Sequence, residues 1–258
     1  MTSTASRVQN SKPLEIGARI GFAVNGLLHI LIGGIAFGVA FGGGGKADQG
    51  GALGQLAKNP IGMFTLWLIV VGLAALGIFS ILTAIVEKGE AKDRLKNAGK
   101  GIAYLAVGYT ALQFAMGGSS DSSESTKSVS AKLLETPGGV VLLVLLGLAV
   151  IAIGIYFVVK GARHKFLEDI SSPGGTVGKG TKALGTVGYV AKGVAIAVVG
   201  ILFIVAALTT DATKATGLDG ALKSLASLPF GVFILTAVAI GLIAFGVYSF
   251  VRARYARL

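Results

Sequence analysis

The chain has 258 residues and a formal net charge of +11, yet only 14% of its residues are charged, 53% are hydrophobic, and the mean hydropathy is +0.78. Water-soluble domains carry about 25% charged residues, so this composition excludes an ordinary soluble protein and points to lipid as the main solvent. The absence of cysteine excludes disulfides, thiol chemistry and Cys-ligated metal centres. With His29 and His164 as the two histidines, a histidine metal site is not expected either, and no cofactor is implied.

A helix needs roughly 20 apolar residues to cross a bilayer. Six stretches approach or exceed this length: residues 20–41, 61–86, 102–116, 138–159, 187–208 and 230–251. The third is the shortest and borrows residues from position 97 onward. None of the six contains Asp or Glu. The first stretch is longer than the apolar core of a cleaved signal and belongs to a repeat, so it reads as retained. Ahead of spans two, four and six lie segments with apolar positions at helical spacing, such as residues 221–228. These predict a short amphipathic helix along the outer membrane surface in each repeat.

The charge is distributed unevenly. Seventeen of the 23 Lys and Arg residues lie on the side that holds the N-terminus, the loops after spans two and four, and the C-terminus. The 12 acidic residues divide equally between the two sides, so the whole excess of +11 sits on one of them. The positive-inside rule then places both termini in the cytoplasm, in a multi-pass protein of the bacterial cytoplasmic membrane. Membrane lipids, with anionic headgroups on the cytoplasmic face, are the expected partners, alongside a possible protein partner in the membrane. Nucleic acid is not expected, since the short loops lack base-reading features.

Three copies of one pattern run through the chain. Pro60, Pro137 and Pro229 each precede an even-numbered span, with Leu56, Leu133 and Leu225 four residues upstream and Gly77, Gly154 and Gly246 seventeen downstream. In the odd spans Gly26, Gly101 and Gly193 correspond, each followed seven residues later by Gly33, Gly108 or Gly200. Residues seven apart share a helix face, and paired glycines there make a groove for a neighbouring backbone. Gly34 and Gly38 add a small-residue step on span one. The organisation follows: a cytoplasmic tail (1–17), repeat 1 (18–87), repeat 2 (88–165), a basic cytoplasmic linker (166–183), and repeat 3 with a basic tail (184–258). The expected fold is all-α integral membrane, six transmembrane helices as three tandem two-helix repeats in pseudo-threefold order.

The residues Gly21-Phe22, Asn25-Gly26, Gly188-Tyr189 and Lys192-Gly193, followed by an Ala-Leu segment, Pro-x-Gly and a glycine-rich second helix, resemble a bacterial, mainly actinobacterial, membrane family. That family is the DUF1206-type domain of unknown function, with three tandem two-helix units. The resemblance covers about residues 17–255 and implies the architecture without an activity. The middle copy departs from it, because Lys96 replaces the first glycine and the aromatic after it is missing.

Ionisable residues inside a membrane mark functional sites. The lack of intramembrane carboxylates argues against proton-coupled pumps and aspartyl proteases. A serine hydrolase needs a base and a Gly-x-Ser-x-Gly elbow, and the elbow is absent. No enzyme is expected. The candidate intramembrane polar cluster is Asn25, His29, Lys100, Tyr104 and Lys192: Asn25 and His29 share a helix face, and their repeat equivalents are Lys100 with Tyr104 and Lys192 with Ile196. Two readings stand: an anion or headgroup site near the inner mouth, or lysines snorkelling to the interface with Asn25 and His29 bonded to a neighbouring helix. Thr65, Thr83 and Ser80 are expected to bond their own helix, Trp67 to pack internally, and Tyr248, Phe250 and Tyr255 to form an inner aromatic belt. Residues 171–182 lack the Gly-Lys-Ser/Thr of a phosphate loop and read as a flexible basic linker, and residues 164–170 as a short interfacial helix. Function narrows to a non-enzymatic accessory, scaffold or lipid-binding protein; the alternative is a channel or facilitator for anions or small solutes through the centre of the hairpins.

Overall fold

A computed structural model describes residues 12–86, 91–119, 121–171 and 173–257. Within it the chain is helical: α1 Lys12–Ala40, α2 Gln49–Leu56, α3 Pro60–Val86, α4 Ala91–Ala115, α5 Ser122–Leu134, α6 Gly139–Ala162, α7 Gly175–Leu208, α8 Gly217–Ala226 and α9 Gly231–Tyr255. Two 3-10 turns, Lys165–Asp169 and Ala212–Lys214, join α6 to α7 and α7 to α8. The tail through residue 11 and Lys88 lie outside the described residues.

Among the described residues five helices are long and apolar enough to cross a membrane: Ala18–Ala40 of α1, Pro60–Ile85 of α3, α6, α7 and α9. Helix α4 is continuous over 25 residues, but Lys92, Asp93, Arg94, Lys96 and Lys100 crowd its first ten. It therefore begins six residues before the predicted position and is less apolar than its neighbours. The short helices α2, α5 and α8 occupy the places predicted for amphipathic helices. Their ends follow local chemistry, with Asp48 accepting the Gly51 N–H at 2.8 Å and Asp121 those of Ser123 and Glu124 at 3.0 and 3.1 Å. Such side-chain caps satisfy the orphan amides of a helix start.

Three helix pairs pack most closely: α9 with α1, α3 with α4, and α6 with α7. Glycine makes this approach possible. A Cβ added at Gly193 would lie 2.6 Å from the Gly154 carbonyl oxygen, and one at Gly154 would lie 2.7 Å from that of Gly193. Gly26 and Gly246 repeat the relation at 2.7 and 2.6 Å, and Gly101 and Gly77 more loosely at 3.0 and 3.2 Å. Each second helix of a repeat thus packs glycine to glycine against the first long helix of another repeat. A Cβ added at Gly34 or Gly38 would meet nothing within 4 Å, so among the described residues no helix packs on that step.

The end of the bundle carrying α2, α5 and α8 holds the aliphatic core, where Leu53, Leu66, Ile69, Leu222 and Leu235 are buried. The opposite end, where α1 begins and α9 finishes, holds an aromatic core of Phe166, Tyr189, Phe245 and Tyr248. Tyr248 donates to the Phe166 carbonyl at 3.0 Å and is fully buried, so it is a core residue and not part of a belt. The short helix expected at residues 164–170 is the 3-10 turn, with Lys165 and Glu168 exposed while Phe166 draws it onto the core. Ser171 N–H to the Tyr255 carbonyl (2.7 Å) fastens it to the end of α9. Residues 175–182 are helical rather than a flexible linker, because Thr181 is buried and Gly185 lies against the Phe166 ring. Trp67, expected to pack internally, is 46% exposed on the outer face of α3. Thr65 and Thr83 bond back to Ile61 and Phe79, both at 2.9 Å, as predicted.

Replacing Gly193 by Leu is expected to cost about 1–3 kcal/mol through overpacking, seen as a lowered melting temperature in detergent micelles. Gly34→Ala has room, and its effect should stay within about 1 kcal/mol, the helix-propensity difference.

Candidate functional site

The helices leave a cavity of about 670 Å³ along the bundle, lined by residues of all nine. Four members of the sequence-predicted cluster line it: Asn25 and His29 from α1, Tyr104 from α4 and Lys192 from α7. The side chain of the fifth, Lys100, lies outside the described residues.

Toward the end that holds the start of α1, the wall is cationic and aromatic. The Lys192 ammonium sits 4.2 Å from the Phe245 ring centroid and 5.3 Å from that of Phe157. Cation–π attraction holds the charge there, and among the described residues Lys192 makes no ion pair or hydrogen bond. Arg252 lies 4.2 Å over the Phe22 ring and places Nη2 3.6 Å from an Asp169 carboxylate oxygen. That carboxylate is also paired with Lys160 at 2.7 Å, and Arg252 Nε is buried without a partner. Asn25 donates to Ser249 Oγ on α9 at 3.2 Å, and Ser249 donates onward to the Phe245 carbonyl at 2.9 Å. His29 Nδ1 lies 2.8 Å from the Asn25 carbonyl; a carbonyl only accepts, so Nδ1 carries the proton. Asn25 is therefore a clasp between helices, as one of the two sequence readings held, but His29, expected to bond a neighbouring helix too, bonds back to its own, and Lys192 lines the cavity and does not snorkel outward.

The middle of the cavity is apolar, with Leu28, Ile32 and Leu73 on its wall. At the far end stand groups that the sequence reading missed. Asp48 is 3% exposed; its Oδ1 caps α2 while Oδ2 is buried without a partner. Asp219 accepts the Ala47 N–H at 2.8 Å and pairs with Lys223 at 2.7 Å. Lys46 pairs with Asp121, which holds that carboxyl below its usual range and raises the lysine. Burial pushes the Asp48 carboxyl above its usual value; the Gly51 N–H and Lys46 oppose this, and Asp219 and Asp121 reinforce it. An Asp just before each of α2 and α5 was a visible capping signal, but nothing in the sequence showed that Asp48 would face a cavity. Phe157, Phe245 and Arg252 escaped notice for a similar reason, since each lies on a helix that is apolar over most of its circumference.

This arrangement offers positive charge at one end, a hydrocarbon middle and the Asp48 carboxyl at the other end. It suits an elongated ligand with an anionic group at Lys192. Among the described residues no cluster of His, Asp or Glu fit for a metal ion occurs.

Because the folded protein raises the Asp48 pKa, the ionised form is the disfavoured one in the native state. Stability is greatest below the ordinary carboxylate value of about 3.9 and declines as pH rises through the higher folded value. Asp48→Asn should therefore raise the melting temperature at pH 7, with the gain vanishing near pH 4.

Three segments, residues 20–87, 95–164 and 187–256, match the family described as a domain of unknown function, DUF1206. An uncharacterised protein of Bacillus subtilis (strain 168), YxxB, is 32% identical over 257 residues, covering 96% of this chain and 93% of the relative. No solved structure matches. The chain belongs to the DUF1206 family, with three copies of its repeat.

Proposed function

We propose that this DUF1206 protein is a non-enzymatic, six-span membrane protein that holds an anion-bearing amphipathic ligand in its axial cavity. One observation carries the reading: the Lys192 ammonium faces the cavity without a counter-charge, beside a wall that is otherwise largely hydrocarbon. An unpaired charge at such a place is costly, and an anionic ligand removes the cost.

Six spans in pseudo-threefold order are supported by the cyclic pairing of α9 with α1, α3 with α4 and α6 with α7, each with glycines at matching repeat positions. In this reading α4 is the third of the six spans. Its charged first turns stand in the interface, and its glycine-bearing part, which packs on α3, is in the bilayer. The surplus of basic residues on the side of the termini supports a cytoplasmic location for that side in the bacterial inner membrane. The cationic end of the cavity then lies toward the cytoplasm and the anionic end outside. The apolar belt of Leu28, Ile32 and Leu73 between the two favours holding a ligand over conducting ions.

Native mass spectrometry of the protein released gently from the membrane tests this. The wild type should retain a bound anionic species, and Lys192→Gln should lose most of it, while Lys192→Arg keeps part. A wild type that carries nothing, or retention unchanged by Lys192→Gln, refutes the reading.

A further inference from the structure

The three hairpins are closed to different degrees, and the difference falls on the cavity wall. In repeat 3, α7 and α9 are in close contact: a Cβ at Gly188 would lie 2.5 Å from Phe245 Cα, and one at Gly241 would lie 2.2 Å from Ala191 Cβ. In repeat 1 the corresponding positions only touch, with Gly21 3.7 Å from Leu76 and Gly72 3.9 Å from Ile20 by the same measure. In repeat 2, α4 and α6 have almost no contact among the described residues.

The residues of α6 that correspond to the packed face of α9, counted from Pro137 and Pro229, report the same gap. Ile153 is 49% exposed where Phe245 is 4%, and Tyr156 is 58% exposed where Tyr248 is fully buried. The sequence supplies a cause. Lys96 stands where repeat 3 has Gly188 and repeat 1 has Gly21, and a residue with a Cβ cannot accept another backbone at 2.5 Å. The middle copy lacks the glycine that permits the close contact of repeat 3.

We propose that the cavity opens sideways into the bilayer between α4 and α6, and that its ligand is a membrane lipid with an anionic headgroup admitted by this route. The proposal rests on the ligand-holding reading above and names the ligand class. The rim is apolar on α6, where Leu146 and Ile153 are exposed. A hydrated anion gains nothing by crossing such a rim, whereas acyl chains pass along it without leaving hydrocarbon. Behind the rim, Tyr104 and Val107 of α4 and Phe157 of α6 belong to the cavity wall. Lys192 lies five residues into the apolar run that begins at Val187, about 7–8 Å deep at 1.5 Å per residue. That depth suits the headgroup of a lipid from the leaflet on the side of the termini, with its chains along Leu28, Ile32 and Leu73. A transmembrane helix from a partner protein would fill the gap too, but it brings no counter-charge for Lys192.

The test uses the protein reconstituted in zwitterionic vesicles containing a small fraction of phosphatidylglycerol with a photoreactive diazirine in one acyl chain. After irradiation, mass spectrometry should find adducts on Leu28, Leu73 or Val107 as well as on outward faces. In Lys192→Gln the inner adducts should fall about tenfold, as for loss of one charge-assisted contact, with the outward ones unchanged. Ala149→Phe, at the position equivalent to Gly241, should reduce the inner adducts by obstructing the gap. It should leave Lys192-dependent binding of soluble glycerol phosphate intact. Adducts confined to outward faces and indifferent to Lys192→Gln overturn the lipid proposal. If glycerol phosphate still binds through Lys192 in that case, the anion-site reading survives; if it does not, both fall. A stoichiometric protein cross-linked at Ile153 also overturns the lipid assignment.

Discussion

Backbone meeting backbone at glycine is the contact on which this fold depends. In a bilayer, apolar side chains gain little by leaving lipid for one another, so helices associate through close packing. The pairs Gly26–Gly246, Gly77–Gly101 and Gly154–Gly193 bring helix axes nearer than any side chain permits. Because these contacts join different repeats, they bind three hairpins into one body. The short helices and the aromatic core then close the two ends, with α2 and α8 burying leucines at one and Phe166 and Tyr248 locking the other.

Close packing on the outside of each pair leaves the centre underfilled. The inter-repeat pairs are strong joints, and among the hairpins only that of repeat 3 is closed, so the axis is bounded by weak joints in repeats 1 and 2. A cavity is the consequence, and its walls inherit whatever the inward faces carry. At one end that is Lys192 between two phenylalanine rings and Arg252 over a third. At the other it is Asp48, with one carboxylate oxygen unsatisfied. The polarity of the cavity along its length is therefore set by a few residues on otherwise apolar helices.

Much of this was legible in the sequence, and the limits of legibility have physical causes. The repeat, the short helices and the glycine faces follow from spacing alone. Asn25, His29, Tyr104 and Lys192 were assembled from repeat equivalence, because equivalent positions on parallel helices lie at one depth. What spacing does not reveal is which helix fills a glycine groove: Gly193 marks a face, and only the structure shows Gly154 there rather than a residue of α9. Gly34 and Gly38 show the converse, a face with no helix packed on it among the described residues. The helical start of α7 at Gly175 was hidden because Gly, Thr and Lys favour a loop locally, while packing of Gly185 on Phe166 overrides that preference. Tyr248 looked like a belt residue because a tyrosine near a helix end often is one; its bond to the Phe166 carbonyl depends on a segment 82 residues away.

The pairing of α9 with α1 also bears on how the protein is made. These helices are joined by contacts between residues more than 200 positions apart, among them Asn25 with Ser249 and Arg19 with the Ala253 carbonyl. During synthesis α1 leaves the ribosome early, and its glycine face stays bare while seven further helices are threaded into place. Its partner arrives last. The bundle therefore waits unsealed through most of its own insertion, and α9 acts as the closing stave of the barrel.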